Sequence, residues 1–474
     1  MSAPFDLIVL GCGPAGERAA IQAARAGKRV AVVERAHVVG GNRVNWGTIP
    51  SKTLRESALF VYALTRNRLH GIRTEISSEI TVADFMYREK QVVQQELELI
   101  NTALDQQLIQ VFHGTGRFVD PHTVAVAGAD GQTRTQLAAD VIVIATGSSP
   151  NHPPDVPFDG ETVFDSETIL GLPRMPASMI VLGAGVIGLE YTSIFAALGI
   201  QVTLVDTRDR LLPYADREIV GLLERGLQHL GVILLHGDRY AAIERADGEP
   251  PHVRCRTRQG NALEADALLY CVGRDGNTQD IGLEALGLKA NAYGQLSVNE
   301  HYQTAHPHIY AAGDVIGYPA LASTSMEQGQ QAVRHAFHIP GESQDTRTLP
   351  FAVYAIPEVS YVGETEDALR DRGERYLVGR AGYDLNARGQ IIGDRSGLLK
   401  ALFDQETLRL RGVHIIGTNA SELVHIGQAF LRSGATVQQI AEMAYNYPTL
   451  SDLYRHAAHQ ALGEVRRRRE LGPE

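Results

Sequence analysis

Two copies of one glycine pattern constrain this chain more than any other feature of it. Leu7-Ile8-Val9-Leu10 is a short run of buried-strand type that passes at once into Gly11-Cys12-Gly13-Pro14-Ala15-Gly16 and then into the helix-forming stretch Glu17 to Ala26. The next strand, Arg29 to Val33, ends in Glu34, 23 residues beyond Gly11. The glycines permit a tight turn and close backbone approach, the helix N-terminus faces a pyrophosphate, and the acid accepts from a ribose hydroxyl. The pattern recurs as Ile180-Val181-Leu182 followed by Gly183-Ala184-Gly185-Val186-Ile187-Gly188, with Asp206 closing the next strand, again 23 residues past the first glycine. One such loop alone is commonly just a strand-to-helix turn. Strand, loop, helix, strand and terminal acid in register, twice over, specify two dinucleotide-binding units. A chain with both must bring two dinucleotides together.

At 474 residues the chain is too long for one core and should divide into about three domains. Its 44 Lys+Arg against 55 Asp+Glu leave a net charge of -11, which argues against a nucleic-acid partner. Cys12, Cys255 and Cys271 are too widely spaced for a disulfide framework or a zinc site, so no metal is expected and a reducing cytoplasm fits. The N-terminus, Met1 to Asp6, lacks the basic start of a signal peptide. The apolar run from Met179 to Ile200 is long enough to span a bilayer, but three glycines and Glu190 divide it into strand, turn and helix. No membrane segment is expected.

The stretch Gly40-Gly41-Asn42-Arg43-Val44-Asn45-Trp46-Gly47-Thr48-Ile49-Pro50-Ser51-Lys52 reads as a site. The glycine pair lets backbone pass close to a bulky ligand, and Pro50-Ser51 reads as a helix start with Lys52 in its first turn. Its spacing resembles the redox-helix signature of the flavoprotein disulfide reductases, in which two cysteines five apart stand between the glycine pair and Pro-Ser-Lys. Here those positions are Arg43 and Thr48, and neither can hold a disulfide or attack as a thiolate. Within that family, the Trp-Gly-Thr-Ile-Pro-Ser-Lys form without the redox pair is similar to the soluble pyridine nucleotide transhydrogenases. For Arg43 two readings stand: it fills the vacated space, or it pairs with an acid that spacing does not identify.

The resemblance covers roughly residues 5 to 460. It implies an α/β fold with two Rossmann-like dinucleotide-binding domains, for FAD and NAD(P), and a C-terminal α+β dimerisation domain. The expected division is 1–150 for the first part of the FAD domain, 151–277 for the NAD(P) domain, 278–347 for a central segment completing the FAD domain, and 348–474 for dimerisation. Residues 80 to 108 read as one long helix with a solvated charged face. Val141 to Gly147, ending in Ala-Thr-Gly, resembles the family's passage from first to second domain, and Tyr270 to Asn277 resembles the end of its nucleotide domain. Thr304 to Asp314 resembles its second flavin motif, in which the Asp binds the ribityl chain.

The implied FAD contacts are Gly11, Gly13, Pro14, Ala15, Gly16, Glu34, Arg35, Gly41, Asn42, Lys52, Gly116, Thr146, Gly147, Gly313, Asp314 and Ala322. The implied NAD(P) contacts are Gly183, Gly185, Ile187, Gly188, Glu190, Asp206, Arg208, Arg210 and Gly273. In the family Lys52 and Glu190 would meet at the flavin N5 edge, and with Thr48 they form the expected catalytic set. Asp206 is the acid that selects NAD, while Arg208 and Arg210 offer guanidinium groups to the 2'-phosphate of NADP. The bland alternative for those arginines is pairing with Asp209 or nearby surface acids.

The family's His-Pro-Thr-x-x-Glu motif is replaced by Tyr447-Pro448-Thr449-Leu450-Ser451-Asp452. The general base is gone, and a phenol is protonated at neutral pH. Arg466 to Arg469 reads as a solvated or frayed tail. With FAD and nicotinamide sites retained and no third redox centre, the simplest acceptor is a second nicotinamide nucleotide. The expectation is FAD-dependent reversible hydride transfer between NADPH and NAD, ping-pong through one nicotinamide pocket, by a homodimer or higher homo-oligomer. A quinone reductase or diaphorase, and a non-catalytic redox-responsive flavoprotein, are the alternatives.

Overall fold

The computed structural model describes residues 4–66, 81–246, 248–341 and 348–471. Its first unit runs β1 (Phe5–Leu10), α1 (Pro14–Arg25), β2 (Val30–Glu34), α2 (Gly41–Asn45), α3 (Thr48–Arg66), α4 (Val82–Gln106), β3 (Gln110–His113), β4 (Thr115–Asp120), β5 (Thr123–Ala127) and β6 (Thr133–Ile144). β1 lies between β2 and β6, parallel to both, so that Leu7 pairs with Val30 on one side and Val141 on the other. A strand covered on both faces has no polar side to show, and Leu7, Ile8 and Val9 are fully buried. β6 changes partner along its length: its outer half pairs antiparallel with β5, its inner half parallel with β1. Its burial switches accordingly from alternating to continuous. Strand Ile309–Ala311 extends the sheet beside β6, so the central segment returns to the first unit.

α4 is the long helix expected over 80–108, opened by a capping box between Thr81 and Asp84. α3 begins at Thr48, two residues before the start read from Pro50-Ser51. The reason is that Pro50 occupies the first turn, where a missing N–H removes no intrahelical bond.

The second unit is a parallel sheet ordered Ile233–Leu235, Gln201–Val205, Ser178–Leu182, Ala267–Tyr270, Val163–Asp165, with an antiparallel three-stranded layer beside it. The apolar run Met179 to Ile200 is strand Ser178–Leu182, a glycine turn and helix Val186–Ala197. The chain leaves and re-enters through an antiparallel ribbon, Ser148–Pro150 against Arg274–Gly276. The third unit is a five-stranded antiparallel sheet carrying helices Ala420–Ser433 and Leu453–Leu471. Arg466 and Arg467 belong to that last helix and are exposed, so of the solvated or frayed readings the solvated one is observed; the side chains of Arg468 and Arg469 lie outside the described residues.

One apolar core joins the units: Leu54 and Ala58 of α3 pack with Leu189 and Ile194 of the second unit and with Phe351, Val353 and Ile356 of the third. Among the described residues no helix is long and apolar enough to cross a membrane, and no group of three or more His, Cys, Asp or Glu is placed to hold a metal.

Candidate active site

A cavity of ≈ 470 Å³ opens where the first glycine loop, the Gly41–Thr48 segment, the Ala145–Ser149 passage and the Ala312–Ser325 segment converge. Its wall includes Gly11, Gly13, Pro14, Ala15, Glu34, Arg35, Gly41, Asn42, Gly116, Thr146, Gly147, Gly313, Asp314 and Ala322. Gly16 is not on that wall. Its bare Cα serves packing instead, since a Cβ there would stand 1.9 Å from the Gly11 carbonyl oxygen, and Gly188 repeats this against Gly183. Glu34 accepts from the backbone N–H groups of Cys12 (2.7 Å) and Ala36 (2.8 Å), which ties the acid to the loop it closes. Asp314 accepts from Ser148 Oγ at 2.8 Å.

Lys52 also lies off the wall, one helical turn beyond Thr48, which lines it; residues four apart share a helix face. Its ammonium meets Glu190 Oε2 at 2.5 Å. Glu190 is almost fully buried, and its other oxygen accepts from the Tyr354 N–H at 3.0 Å, while the Tyr354 ring lies 5.0 Å from the Lys52 nitrogen. Tyr354 is held in turn from α3: the buried Arg55 donates to the Ala355 carbonyl (3.2 Å) and pairs with Glu358 (2.9 Å). Three units therefore meet at the Lys52–Glu190 pair in one closed ring of contacts.

Arg43, on the cavity wall, donates through Nη2 to Glu17 Oε2 at 2.8 Å, with side-chain exposures of 13% and 7%. Of the two readings for Arg43, pairing is the one observed. Burial pushes the Glu17 carboxyl up, and the Arg43 charge opposes this. No cysteine stands at the wall. Burial pushes the Cys12 and Cys271 thiols far up and the Cys255 thiol to about 11, so none is a thiolate at neutral pH. Tyr447 is strongly exposed on the third unit.

In the second glycine loop nothing lies within 4 Å of where a Gly185 Cβ would be, which leaves the approach open to a phosphate. Ile187 sits in the first turn of helix Val186–Ala197, and Gly273 accepts from the Asn151 N–H on the connecting ribbon. Asp206 accepts from Ala184 N–H, and Arg208 turns back on it with Nε at 2.8 Å and Nη2 at 2.7 Å. Burial would raise the Asp206 carboxyl, but the Arg208 and backbone hydrogen bonds outweigh it and hold it low. Arg210 is elsewhere: it donates to the carbonyls of Pro213 and Ala215 and pairs with Asp367 of the third unit at 3.4 Å. Of the two guanidiniums, the structure places that of Arg208 against Asp206 and that of Arg210 at an interface with the third unit that sequence spacing does not show.

Sequence reasoning also missed a polar bridge across the ribbon. Arg274 donates to Ser148 Oγ (2.9 Å) and Ser148 carbonyl (2.7 Å), and pairs with Glu167 at 3.2 Å; Ser148, Ser149, Glu167 and Asn277 line the cavity. The signal was present, since Ser148 follows the Ala-Thr-Gly segment directly and Arg274 follows Gly273.

Residues 5–329 match the family model of the pyridine nucleotide-disulphide oxidoreductases, and residues 349–458 match that family's dimerisation domain. The chain is 43% identical over 464 residues to a soluble pyridine nucleotide transhydrogenase of Mycobacterium tuberculosis (strain ATCC 25177 / H37Ra), covering 98% of each. It is 42% identical to the soluble pyridine nucleotide transhydrogenase of Chromohalobacter salexigens, covering 97% of this chain and 99% of the relative. Among solved structures it is similar to LpdA from Mycobacterium tuberculosis, with a TM-score of 0.89, 29% identity and coverage of 96% and 98%. It is also similar to the HOCl-induced flavoprotein disulfide reductase RclA from Escherichia coli in its Cu(II) complex, with a TM-score of 0.86, 26% identity and coverage of 96% and 99%.

Proposed function

From the premise that this chain belongs to the pyridine nucleotide-disulphide oxidoreductase family, we propose how it acts as a soluble pyridine nucleotide transhydrogenase, the activity its full-length relatives carry by name. It is a flavoprotein oxidoreductase that uses FAD and moves hydride between NADPH and NAD. The observation that carries the mechanism is the cavity wall itself: Arg43 and Thr48 stand on it, no cysteine does, and Lys52 and Glu190 meet one helical turn further on.

The cavity residues fit FAD. Buried Arg43 Nε and Thr146 Oγ1 belong to its wall and have no hydrogen-bond partner among the described residues, so a donor and a hydroxyl are left there for ligand polar atoms. The first glycine loop and the N-terminus of α1 would take the pyrophosphate, Glu34 a ribose hydroxyl, and Asp314 the ribityl chain. Bound there, FAD would supply the two-electron chemistry through which hydride passes between nicotinamides.

The remaining steps belong to the protein. The second glycine loop and the N-terminus of helix Val186–Ala197 bind the nucleotide pyrophosphate. Lys52 places an ammonium where negative charge develops during hydride transfer, and Glu190, fixed by the Tyr354 N–H, orients it. Thr48 closes the wall with a neutral side chain that offers no competing electron route. A single second fingerprint makes the two nucleotides share one pocket, so the first must leave before the other binds.

The division at 150/151, 277/278 and 347/348 is part of this reading: the ribbon between Ser148–Pro150 and Arg274–Gly276 supports the first two boundaries, and the start of the dimerisation-domain match at residue 349 supports the third. So is a homodimer through the third unit, supported by its exposed Leu385, Ile391 and Met443. A reducing cytoplasm is supported by three unpaired cysteines. Initial-rate kinetics with NADPH and thio-NAD test the shared pocket. Parallel double-reciprocal lines are expected, and intersecting lines would require both nucleotides to be bound at once.

A further inference from the structure

Asp206 and Arg208 form a bond too complete for a simple contact residue. The Asp206 side chain is 5% exposed. Its Oδ1 accepts from the Arg208 N–H and Nε, both at 2.8 Å, and its Oδ2 accepts from Arg208 Nη2 at 2.7 Å and from the Ala184 N–H. Each carboxylate oxygen offers about two lone-pair sites. All four are taken, so a ribose 2'-hydroxyl finds no acceptor at Asp206 while Arg208 is in place.

What can move is limited. The backbone is pinned on the neighbouring strand side, where the Asp238 N–H donates to the Asp206 carbonyl (3.0 Å) and the Gly237 N–H to the Arg208 carbonyl (3.2 Å). Further along, Arg210 is anchored on Asp367, and Asp216 on the buried Lys400 at 2.8 Å. The Arg208 side chain, 38% exposed, has room to swing without moving that backbone.

We propose that Arg208 is a two-position selector for the adenosine ribose: docked on Asp206 it admits NADP(H), and swung away it admits NAD(H). This rests on the reading that the second glycine loop takes both nucleotides. Docked, the guanidinium cancels the Asp206 charge that would repel a 2'-phosphate. A planar fork with five donors can keep Nε on the carboxylate while offering the rest to the phosphate. Swung away, it frees two acceptor sites on Asp206 for the 2'-hydroxyl, and the Ala184 and Arg208 N–H groups still hold the carboxylate. Arg208 is therefore a ligand for NADP(H) and a competitor of NAD(H). A plain phosphate-binding arginine would be only the first.

The test is calorimetric titration of the FAD-loaded protein with 2',5'-ADP and with 5'-AMP, which differ only by the 2'-phosphate. Arg208→Ala is expected to weaken 2',5'-ADP at least 10-fold and to tighten 5'-AMP several-fold. Asp206→Asn, which weakens the dock and removes the charge, is expected to tighten 2',5'-ADP. An Arg208→Ala protein with weakened 2',5'-ADP but unchanged 5'-AMP would overturn the selector and leave dual nucleotide use standing. Equal weakening of both probes would overturn the dual-use reading itself.

Discussion

Arg43 Nη2 donates to Glu17 Oε2 across 2.8 Å, nearly out of water, at the place where the family's redox helix carries its first cysteine. The substitution does more than delete a thiol. It installs a cation whose partner lies in α1, so the flavin-cavity wall is tied to the helix behind the first glycine loop. Breaking a buried pair by removing one partner costs about 3 kcal/mol or more; Arg18 Nε, 4.0 Å from the other Glu17 oxygen and 37% exposed, compensates only in part.

Arg43→Met should therefore lower the thermal midpoint, measured at fixed scan rate with FAD in excess, and the loss should depend on pH. Burial already raises the folded-state Glu17 carboxyl above its ordinary 4.5. Without Arg43 it rises further, so the penalty is full above the folded value and fades as pH falls toward 4.5. A deficit that is the same at pH 5 and pH 8 would remove Glu17 as its cause.

Lys52→Ala should slow reduction of the bound flavin by NADH and by NADPH alike, by about 100-fold, the scale for deleting one preorganised electrostatic donor. FAD content should be unchanged, because Lys52 stands off the cavity wall. Stopped-flow traces with wild-type rates would take Lys52 out of the mechanism.

Lys400 sits 2% exposed among Asp216, Glu218 and Glu366 and joins the nucleotide unit to the third unit. Burial alone would lower its ammonium, but the hydrogen bonds it donates to Asp216 and Glu366 raise it above 10.5; Asp216, despite burial, is held below 3.8 by His414 and by Lys400. The sign is thus fixed at both ends. The pair stabilises fully between about 3.8 and 10.5, and the contribution is lost as pH falls through the depressed acid or rises through the elevated base. Lys400→Met should destabilise by about 3 kcal/mol or more across that plateau, read as a lower urea midpoint at pH 6 and pH 9 alike. A deficit confined to one of the two would contradict this assignment.

With Thr48 and Arg43 at the wall and every cysteine thiol held neutral, two-electron reduction should produce no thiolate–flavin charge-transfer band. Arsenite added after prereduction should leave the rate unchanged. A long-wavelength band in an anaerobic titration would contradict the thiol-free reading.

Much of the architecture was legible because its determinants are local. Two glycine loops, each between an apolar strand and a helix, announce themselves by spacing, and Glu190 interrupts an otherwise apolar run. The contacts that finish the site are not local. Glu17 looks like an ordinary acid in the first turn of a helix until α2 lays Arg43 against it. Arg55 reaches Ala355 across 300 residues, and Arg210 reaches Asp367 across 157. No periodicity encodes such pairs, because they depend on how three units far apart in the chain pack against one another. The Arg208 contact is illegible for the opposite reason: its partner is two residues away, and only the rotamer decides whether it faces Asp206 or solvent.

The most direct test of transhydrogenation through a shared pocket is anaerobic double-mixing stopped flow. The enzyme is first reduced by one equivalent of NADPH per flavin, the spent nucleotide is allowed to leave, and NAD is then added. The flavin absorbance should return with one NADH formed per flavin. A reduced enzyme that NAD fails to reoxidise, while a quinone does so at once, would contradict the account and make the protein a quinone reductase.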